Sequence, residues 1–318
     1  MKKKVNILIP VFNEQENILK IFNAVNQTIS KLPYEFYFLF IDDGSTDNTL
    51  SIIKTIAEYT SNVKFLSFSR NFGHQSALKA GIDLSDSDCI ISMDGDMQHP
   101  PEVIPRLLQK WEHGYDVVFT IRNDDHSVPF FKRKFSSAFY TFLNRISDIK
   151  MQKGAADFRL ISRNVVDVLK NMEEYNLFLR GLVNWIGFKQ IAVEYTPGCR
   201  NAGVSKFGFK KMISFALNGI TSFSDKPLYI AAYLGCTFSL LSVLYLPYAL
   251  GSYMFHYTIS GWTSIIVTIS FFGGLQLMIL GIIGIYLGKL FMQSKNRPLY
   301  ILKESNIVCR EKTESLSF

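Results

Sequence analysis

The segment Ile91-Ser-Met-Asp-Gly-Asp-Met-Gln-His-Pro-Pro101 ends an apolar run in two carboxylates, Asp94 and Asp96, two positions apart. On an extended segment alternate side chains face the same way, so the pair converges. Unscreened, the two charges repel. A hard divalent cation such as Mg²⁺ or Mn²⁺ removes the conflict, because such ions prefer oxygen ligands. Mg²⁺ takes one or two protein carboxylates and leaves positions for water and substrate phosphates, so the pair points to a metal–diphosphate site. Gly95 between them lets backbone approach a ligand closely. The sequence contains neither G-x-x-x-x-G-K-[ST] nor G-x-G-x-x-G. With no loop of either kind to cradle phosphates, the metal is the expected holder.

Such a pair needs a scaffold that presents it. In the first 205 residues short apolar runs alternate with helical patterns. Strands are expected at Val5–Ile9, Phe36–Ile41, Val63–Phe68, Cys89–Met93 and Tyr115–Thr120, and helices at Ile18–Ser30, Thr49–Tyr59, His74–Leu84 and Pro101–His113. This alternation implies an α/β fold, a mostly parallel sheet with helices on both faces. Most of the strands are near-continuous apolar runs, as doubly covered strands should be. Ligands of such sheets collect at the carboxyl ends of the strands. There stand Pro10-Val-Phe-Asn-Glu14, Asp42-Asp-Gly-Ser-Thr-Asp47, Ser69-Arg-Asn-Phe-Gly73 and Asp94-Gly-Asp96. Any one loop could be a turn with a helix cap, since Ser, Thr and Asp favour both. Four polar loops on one rim point to a site.

Those motifs, with Asp94-Gly-Asp-Met-Gln-His-Pro-Pro-Glu102, resemble the GT-A (Rossmann-like) glycosyltransferases of family two. Ala156-Asp-Phe-Arg-Leu-Ile-Ser-Arg163 and Arg200-Asn-Ala-Gly-Val-Ser-Lys206 narrow the resemblance to the polyprenyl-phosphate glycosyltransferase branch, of bactoprenol glucosyltransferase and dolichyl-phosphate mannose synthase type. The resemblance covers nearly the whole chain. It implies that Pro10, Phe12, Glu14 and Asp42 line the base and ribose pocket of a nucleotide sugar, with Asp94 and Gly95. Asp94, Asp96 and Gln98 are implied as the metal set, for Mg²⁺ or Mn²⁺. Arg122, Arg200, Ser205 and Lys206 are implied to meet an acceptor phosphate, although Arg200 and Lys206 also read as a plain membrane-surface patch. Asp157 stands where the wider family places a general base. A phosphate acceptor, mostly dianionic at neutral pH, hardly needs one. Asp157 is therefore expected to orient sugar or phosphate as much as to take a proton, and an ion pair with Arg159 or Arg163 is the plainer alternative.

The rest of the chain bears on where this chemistry happens. Of 318 residues 48% are hydrophobic, and from Pro227 to Gly288 there is no Asp, Glu, Lys or Arg. A spanning helix needs about 20 predominantly apolar residues. Two spans are expected in 227–290, near Tyr229–Tyr253 and Thr263–Leu290, forming a C-terminal two-helix transmembrane hairpin. Tyr253, Tyr257 and Trp262 suit the interface. The connecting turn has no Lys or Arg and the flanks have many, which places the catalytic domain of residues 1–205 and the tail of 291–318 in the cytoplasm, on a cell membrane. Residues 130–143, and 206–226 before the first span, mix basic and aromatic side chains at helical spacing and read as interfacial amphipathic helices. Either could instead pack on the sheet or serve as a homo-oligomer contact. The opening Met1-Lys-Lys-Lys-Val-Asn-Ile-Leu-Ile-Pro10 has too short an apolar run for a signal peptide. Cys89, Cys199, Cys236 and Cys309 lie scattered without metal spacing and read as reduced thiols. The net charge of +7 is assigned to the membrane surface and not to nucleic acid, since many basic residues flank the apolar segments.

The expected partners are a UDP-sugar donor, a polyprenyl phosphate acceptor, the membrane and a downstream flippase. The expected reaction is single-displacement, inverting transfer of a hexose, with glucose favoured and uridine taken from the branch resemblance. GDP-mannose or a UDP-aminosugar are alternative donors. A processive polysaccharide synthase would carry more spans and a Q-x-x-R-W signature, which the sequence lacks. A non-catalytic membrane sensor of nucleotide sugars would not need the Asp94/Asp96 pair together with Asp157 and Arg200–Lys206.

Overall fold

The computed structural model describes residues 2–122, 154–175, 177–196, 224–254 and 261–307. The chain forms two units, one containing the sheet and the segment from Pro298 onward, the other containing two long helices, and each is described by itself.

The sheet has eight strands in the order β7-β5-β6-β4-β1-β2-β3-β8. Its centre follows the alternation in the sequence. Strands β1 (Lys4–Val11), β2 (Glu35–Asp42), β3 (Val63–Phe68) and β4 (Cys89–Ser92) are mutually parallel, with helices α1 (Ile18–Ile29), α2 (Thr49–Tyr59) and α3 (His74–Leu84) between them. Parallel strands are covered on both faces, which is why Ile7, Leu8, Ile9, Phe38, Phe40 and Ile41 are all buried whichever way they point. Alternate β1 residues Val5, Ile7, Ile9 and Val11 share one core with Ile18, Ile21, Val25 and Ile29 of α1 and Ile53 and Ile56 of α2. Ile104, Leu107 and Leu108 of α4 (Ile104–Glu112) join the same core, after a 3₁₀ turn at Pro101–Val103. The opposite face takes α3. A Cβ on its Gly81 would stand 2.9 Å from Leu8 Cδ1, so a larger residue there would push the Leu8 side chain aside. Helices thus cover both faces, as expected.

The second half departs from the simple alternation. Strand β5 (Val117–Arg122) does not pair with β4. Strand β6 (Ala155–Ser162) enters between them, antiparallel to both. Helices α5 (Arg163–Lys170) and α6 (Leu179–Trp185) follow, and β7 (Gln190–Tyr195) pairs parallel with β5. The sheet is therefore mixed. Asp157 and Arg159 interrupt the apolar run of β6, which hides the strand from periodicity. The far edge is closed from beyond the long helices. Strand β8 (Leu302–Ser305) lies antiparallel on β3, so the expected tail of 291–318 supplies a strand to the sheet. Pairing satisfies the edge backbone groups that β3 would otherwise leave open.

The helical unit consists of α7 (Lys226–Met254) and α8 (Trp262–Ser294). Phe238 of α7 meets Phe271 and Phe272 of α8 edge-on, with centroids 5.8 Å away in each case. The Tyr286 hydroxyl donates to the Ser224 carbonyl at 2.7 Å. Among the described residues one helix, over Val267–Ser294, is long and apolar enough to cross a membrane, with mean hydropathy 1.9. The expected interfacial helices, near 130–143 and over most of 206–226, lie outside the described residues.

Candidate active site

The rim loops are laced to one another before they meet any ligand. Asn13 stands in the left-handed region, at φ 55°, directly after β1. Its carboxamide oxygen accepts the Thr46 backbone N–H at 2.8 Å, and its own N–H donates to Ser45 Oγ at 2.9 Å. The Glu14 N–H donates to Thr49 Oγ1 at 2.9 Å. Much of the Asp42–Asp47 loop is thus turn and cap chemistry, which the residue types also allowed. Asp42 itself is 1% exposed. Its carboxylate accepts the Ser45 N–H at 3.0 Å and the Ser67 hydroxyl at 2.8 Å. Asp42, expected in the nucleotide pocket, holds the loop, and its neighbour Asp43 lines the cleft. The Asp43 carboxylate accepts the Phe72 N–H at 2.6 Å and the Gly73 N–H at 2.9 Å. Burial raises its pKa against these bonds.

A cleft of about 310 Å³ opens at this rim. Pro10, Phe12, Glu14, Asp94, Gly95 and Asp96 line it, as expected, together with Asp43, Asn71, Gly73 and His74. Phe12 is 44% exposed, an aromatic face available for stacking. Gly95 has a nearer reason to be glycine than an incoming ligand. A Cβ there would lie 2.7 Å from Val11 Cγ1. The carboxyl of Glu14 is pushed upward, chiefly by burial and then by the carboxylates of Asp96, Asp47 and Asp94, against a hydrogen bond from Asn17. Negative charge therefore accumulates on this side of the cleft.

Asp94 and Asp96 are held differently. The Asp94 backbone N–H donates to His99 Nδ1 at 2.9 Å. The His99 ring stacks on Phe158 with centroids 5.0 Å apart. Burial lowers the His99 pKa against the nearby carboxylates, which suits a neutral ring accepting at Nδ1. Asp96 Oδ1 accepts the Gln98 backbone N–H at 3.1 Å and Oδ2 the Gln98 side-chain amide at 2.6 Å, while Gln98 Oε1 accepts from Arg122 at 3.2 Å. Gln98 thus turns a donor toward Asp96 and its oxygen toward Arg122. It braces Asp96, the carboxylate beside which it was expected to join the metal set. Among the described residues no three His, Cys, Asp or Glu side chains gather into a metal cage. Two carboxylates at an open cleft still suit a hard cation that completes its sphere with water and phosphate oxygens.

Asp157, at the edge of the same site, is 9% exposed. Arg180 on α6 grips it with two bonds, Nε to Oδ1 at 2.7 Å and Nη2 to Oδ2 at 2.8 Å. Arg159 adds a third at 3.3 Å. Burial alone would raise the Asp157 pKa, but Arg180, His74 and Arg159 hold it well below the usual carboxylate value. The expected Arg159 pair is present. Arg163 instead bridges Asp86 and Asp167, at 2.7 and 2.8 Å. His74, the first residue of α3, places Nε2 3.5 Å from Asp94 Oδ1 and 3.7 Å from Asp157 Oδ2. Burial lowers its pKa, but the hydrogen bond to Asp157 and both carboxylates outweigh this and raise it. His74 thus links the two acidic halves of the site.

The sequence reading missed His74, His99, Asp43 and Arg180. His99 could have been suspected beside the Asp94–Asp96 pair, and Asp43 beside Asp42. Arg180 carried no local signal. Arg200, Ser205 and Lys206 lie outside the described residues.

The family model described as Glycosyl transferase family 2 matches residues 6–169. The chain is 41% identical over 304 residues to the SfII prophage-derived bactoprenol glucosyl transferase of Shigella flexneri, covering 95% of this chain and 98% of that protein. It is 40% identical over 301 residues to the uncharacterized glycosyltransferase YkcC of Bacillus subtilis (strain 168), covering 94% and 93%. The crystal structure of mannosyl-3-phosphoglycerate synthase from Rubrobacter xylanophilus is similar in fold, with TM-score 0.50 at 12% identity over 68% of this chain and 71% of that one.

Proposed function

The chain belongs to glycosyl transferase family 2 and is a glycosyltransferase, and from that premise we propose that it transfers a hexose, glucose by preference, from a UDP-sugar to a polyprenyl phosphate. The transfer takes place at the cytoplasmic membrane face and yields a lipid-linked monosaccharide. One observation carries the reading. An acidic cleft at the sheet rim belongs to a chain that is similar to a bactoprenol glucosyl transferase over 95% of its length, a membrane-length helix included.

The residues take these roles. Phe12 offers its ring to the base, and Pro10, Glu14 and Gly95 line the donor pocket with Asp43. Mg²⁺ or Mn²⁺, held by Asp94 and Asp96, supplies neutralisation of the nucleoside diphosphate leaving group when bound. Gln98 and Arg122 fix the Asp96 carboxylate. Asp157 stays ionised and gripped by Arg180, so it orients sugar or phosphate and takes no proton. The acceptor phosphate arrives already deprotonated. Its oxygen attacks the anomeric carbon from the face opposite the leaving diphosphate, which inverts that centre. Arg122, Arg200, Ser205 and Lys206 hold the acceptor phosphate. The two-span hairpin formed by α7 and α8 keeps both termini cytoplasmic, and a separate flippase turns the product to the other leaflet.

The test is sugar transfer from radiolabelled UDP-glucose to undecaprenyl phosphate by the full chain in detergent, with Mg²⁺, Mn²⁺ or chelator. A butanol-extractable product that chelator abolishes is expected. Product from GDP-mannose or a UDP-aminosugar alone would reassign the donor. Nucleotide binding without product from any donor would overturn the enzymatic reading in favour of a sensor.

A further inference from the structure

The segment after α8 reaches the donor side of the cleft through a chain of contacts that none of the roles above uses. Tyr300 stacks face to face on Phe68, the last residue of β3, with centroids 5.3 Å apart and planes 12° from parallel. Phe68 meets Phe72 edge-on at 5.7 Å. Phe72 and Gly73 give their backbone N–H groups to Asp43. Asp43, Gly73 and His74 line the cleft. The Tyr300 hydroxyl also donates to Asp83 Oδ2 at 3.2 Å, on the α3 helix that His74 begins. Tyr300 therefore touches β3 and α3 on both sides of the loop that joins them. Its strand is fastened independently. The Ser69 N–H donates to the Ile301 carbonyl at 3.0 Å, and the Phe65 N–H to Asn306 Oδ1 at 2.7 Å.

We propose that Tyr300 is a positioning residue for the donor half of the cleft, acting through Phe68 and Phe72 on the Asp43–Gly73 loop contact. The inference rests on the nucleotide-sugar reading above for the ligand that this loop serves. A stacked ring and an edge contact fix where β3 ends, and the end of β3 sets where the Phe72 and Gly73 amides point. Loss of the ring would leave the carboxylates of Asp94 and Asp96 in place but loosen the wall opposite them.

The experiment compares the full chain in detergent with Tyr300→Ala and Tyr300→Phe. Amide hydrogen exchange is followed at Phe72 and Gly73, with α1 as an internal reference, and the UDP-glucose KM and kcat are measured in parallel. For Tyr300→Ala we expect exchange at Phe72 and Gly73 to rise up to roughly tenfold while α1 is unchanged, the size of effect an aromatic pair can exert. The donor KM should rise by a similar factor, with kcat altered much less. Tyr300→Phe, which keeps the stack, should recover most of both. Unchanged exchange at Phe72 and Gly73, an equal rise in α1, or a loss of kcat at constant donor KM would each overturn the proposal. Absence of transfer by the unmodified chain would count against the donor reading, and the exchange comparison would still decide the bracing role.

Discussion

Asp157 shows how burial and partners together choose among the roles open to a carboxylate. A side chain gripped by Arg180 and flanked by Arg159 is stabilised as the anion, and an anion already in two good hydrogen bonds is a poor base. Replacing it with Asn would remove a counter-charge shared by two guanidinium groups. Removing one partner of a buried pair costs about 3 kcal/mol or more, so Asp157→Asn should lower the thermal unfolding midpoint as well as the activity. Because the folded pKa lies below the unfolded value of about 3.9, the contribution of this pair is complete above that pH. It disappears only as acid protonates Asp157 on the way down through its folded value. The pH profile of kcat/KM should therefore show no Asp157 limb above about pH 5, and an acidic limb abolished by Asp157→Asn would contradict this. Asp94→Asn or Asp96→Asn should reduce turnover by more than the ~10–100-fold typical of losing a group that merely supports a metal ligand, while far-UV circular dichroism stays unchanged, because neither carboxylate is buried in the core. At this scale the sequence was informative at and just beyond the carboxyl ends of the central strands. Pro10, Glu14, Asp94 and Asp96 all line the cleft. It did not separate Asp42 from Asp43, because period-2 alternation says that neighbours diverge but not which of the two lines the cleft. Arg180 was invisible for a different reason. It reaches Asp157 from a helix on which nothing local announces a charge partner.

The loops between elements carry their own constraints. Gly44 lies at φ 70°, and a Cβ there would stand 2.5 Å from the Arg70 carbonyl carbon. No side-chain motion relieves a clash with backbone. Gly44→Ala should therefore cost more than the ~1–2 kcal/mol of a left-handed φ alone and should weaken UDP binding, since the displaced partner is the 69–73 loop. Titration calorimetry with UDP and Mn²⁺ on the intact chain checks this, and unaltered affinity would show that the loop adapts. Strands β1 to β4 and helices α1 to α3 were legible because each is an apolar run or an amphipathic repeat bounded by turn residues. Strand β6 was not, since Asp157 and Arg159 place functional charge inside it. Strand β8 was missed because Leu302-Lys-Glu-Ser305 has almost no strand character of its own. It is a strand because β3 offers an unpaired edge, which is a property of the sheet and not of those four residues.

For the whole molecule the proposed topology makes a physical demand. Every charge near the apolar segment must stay on one side, since the stretch from Pro227 to Gly288 contains none to place elsewhere. A small epitope inserted within 255–260 should be reached by a membrane-impermeant label on intact cells. One fused after Phe318 should be reached only after permeabilisation. Labelling of neither site on intact cells would replace the two-span hairpin with a helix pair that does not cross. Composition foretold long apolar helices after residue 226, and of the two spans expected one, over Val267–Ser294, is long and apolar enough to cross a membrane among the described residues.

Strand β8 also sets an order of events in time. Among the described strands it is the last to be synthesised, after α7 and α8, yet it pairs with β3 from the first half of the sheet. At translation speeds of 5–20 residues per second, the other seven strands wait on the order of ten seconds for their eighth, and in that interval the apolar helices emerge. The strand that closes the β3 edge therefore joins the sheet only after the long apolar helices have been made. On the bracing role proposed for Tyr300, a nascent half without this segment would hold its sugar donor more weakly than the finished chain.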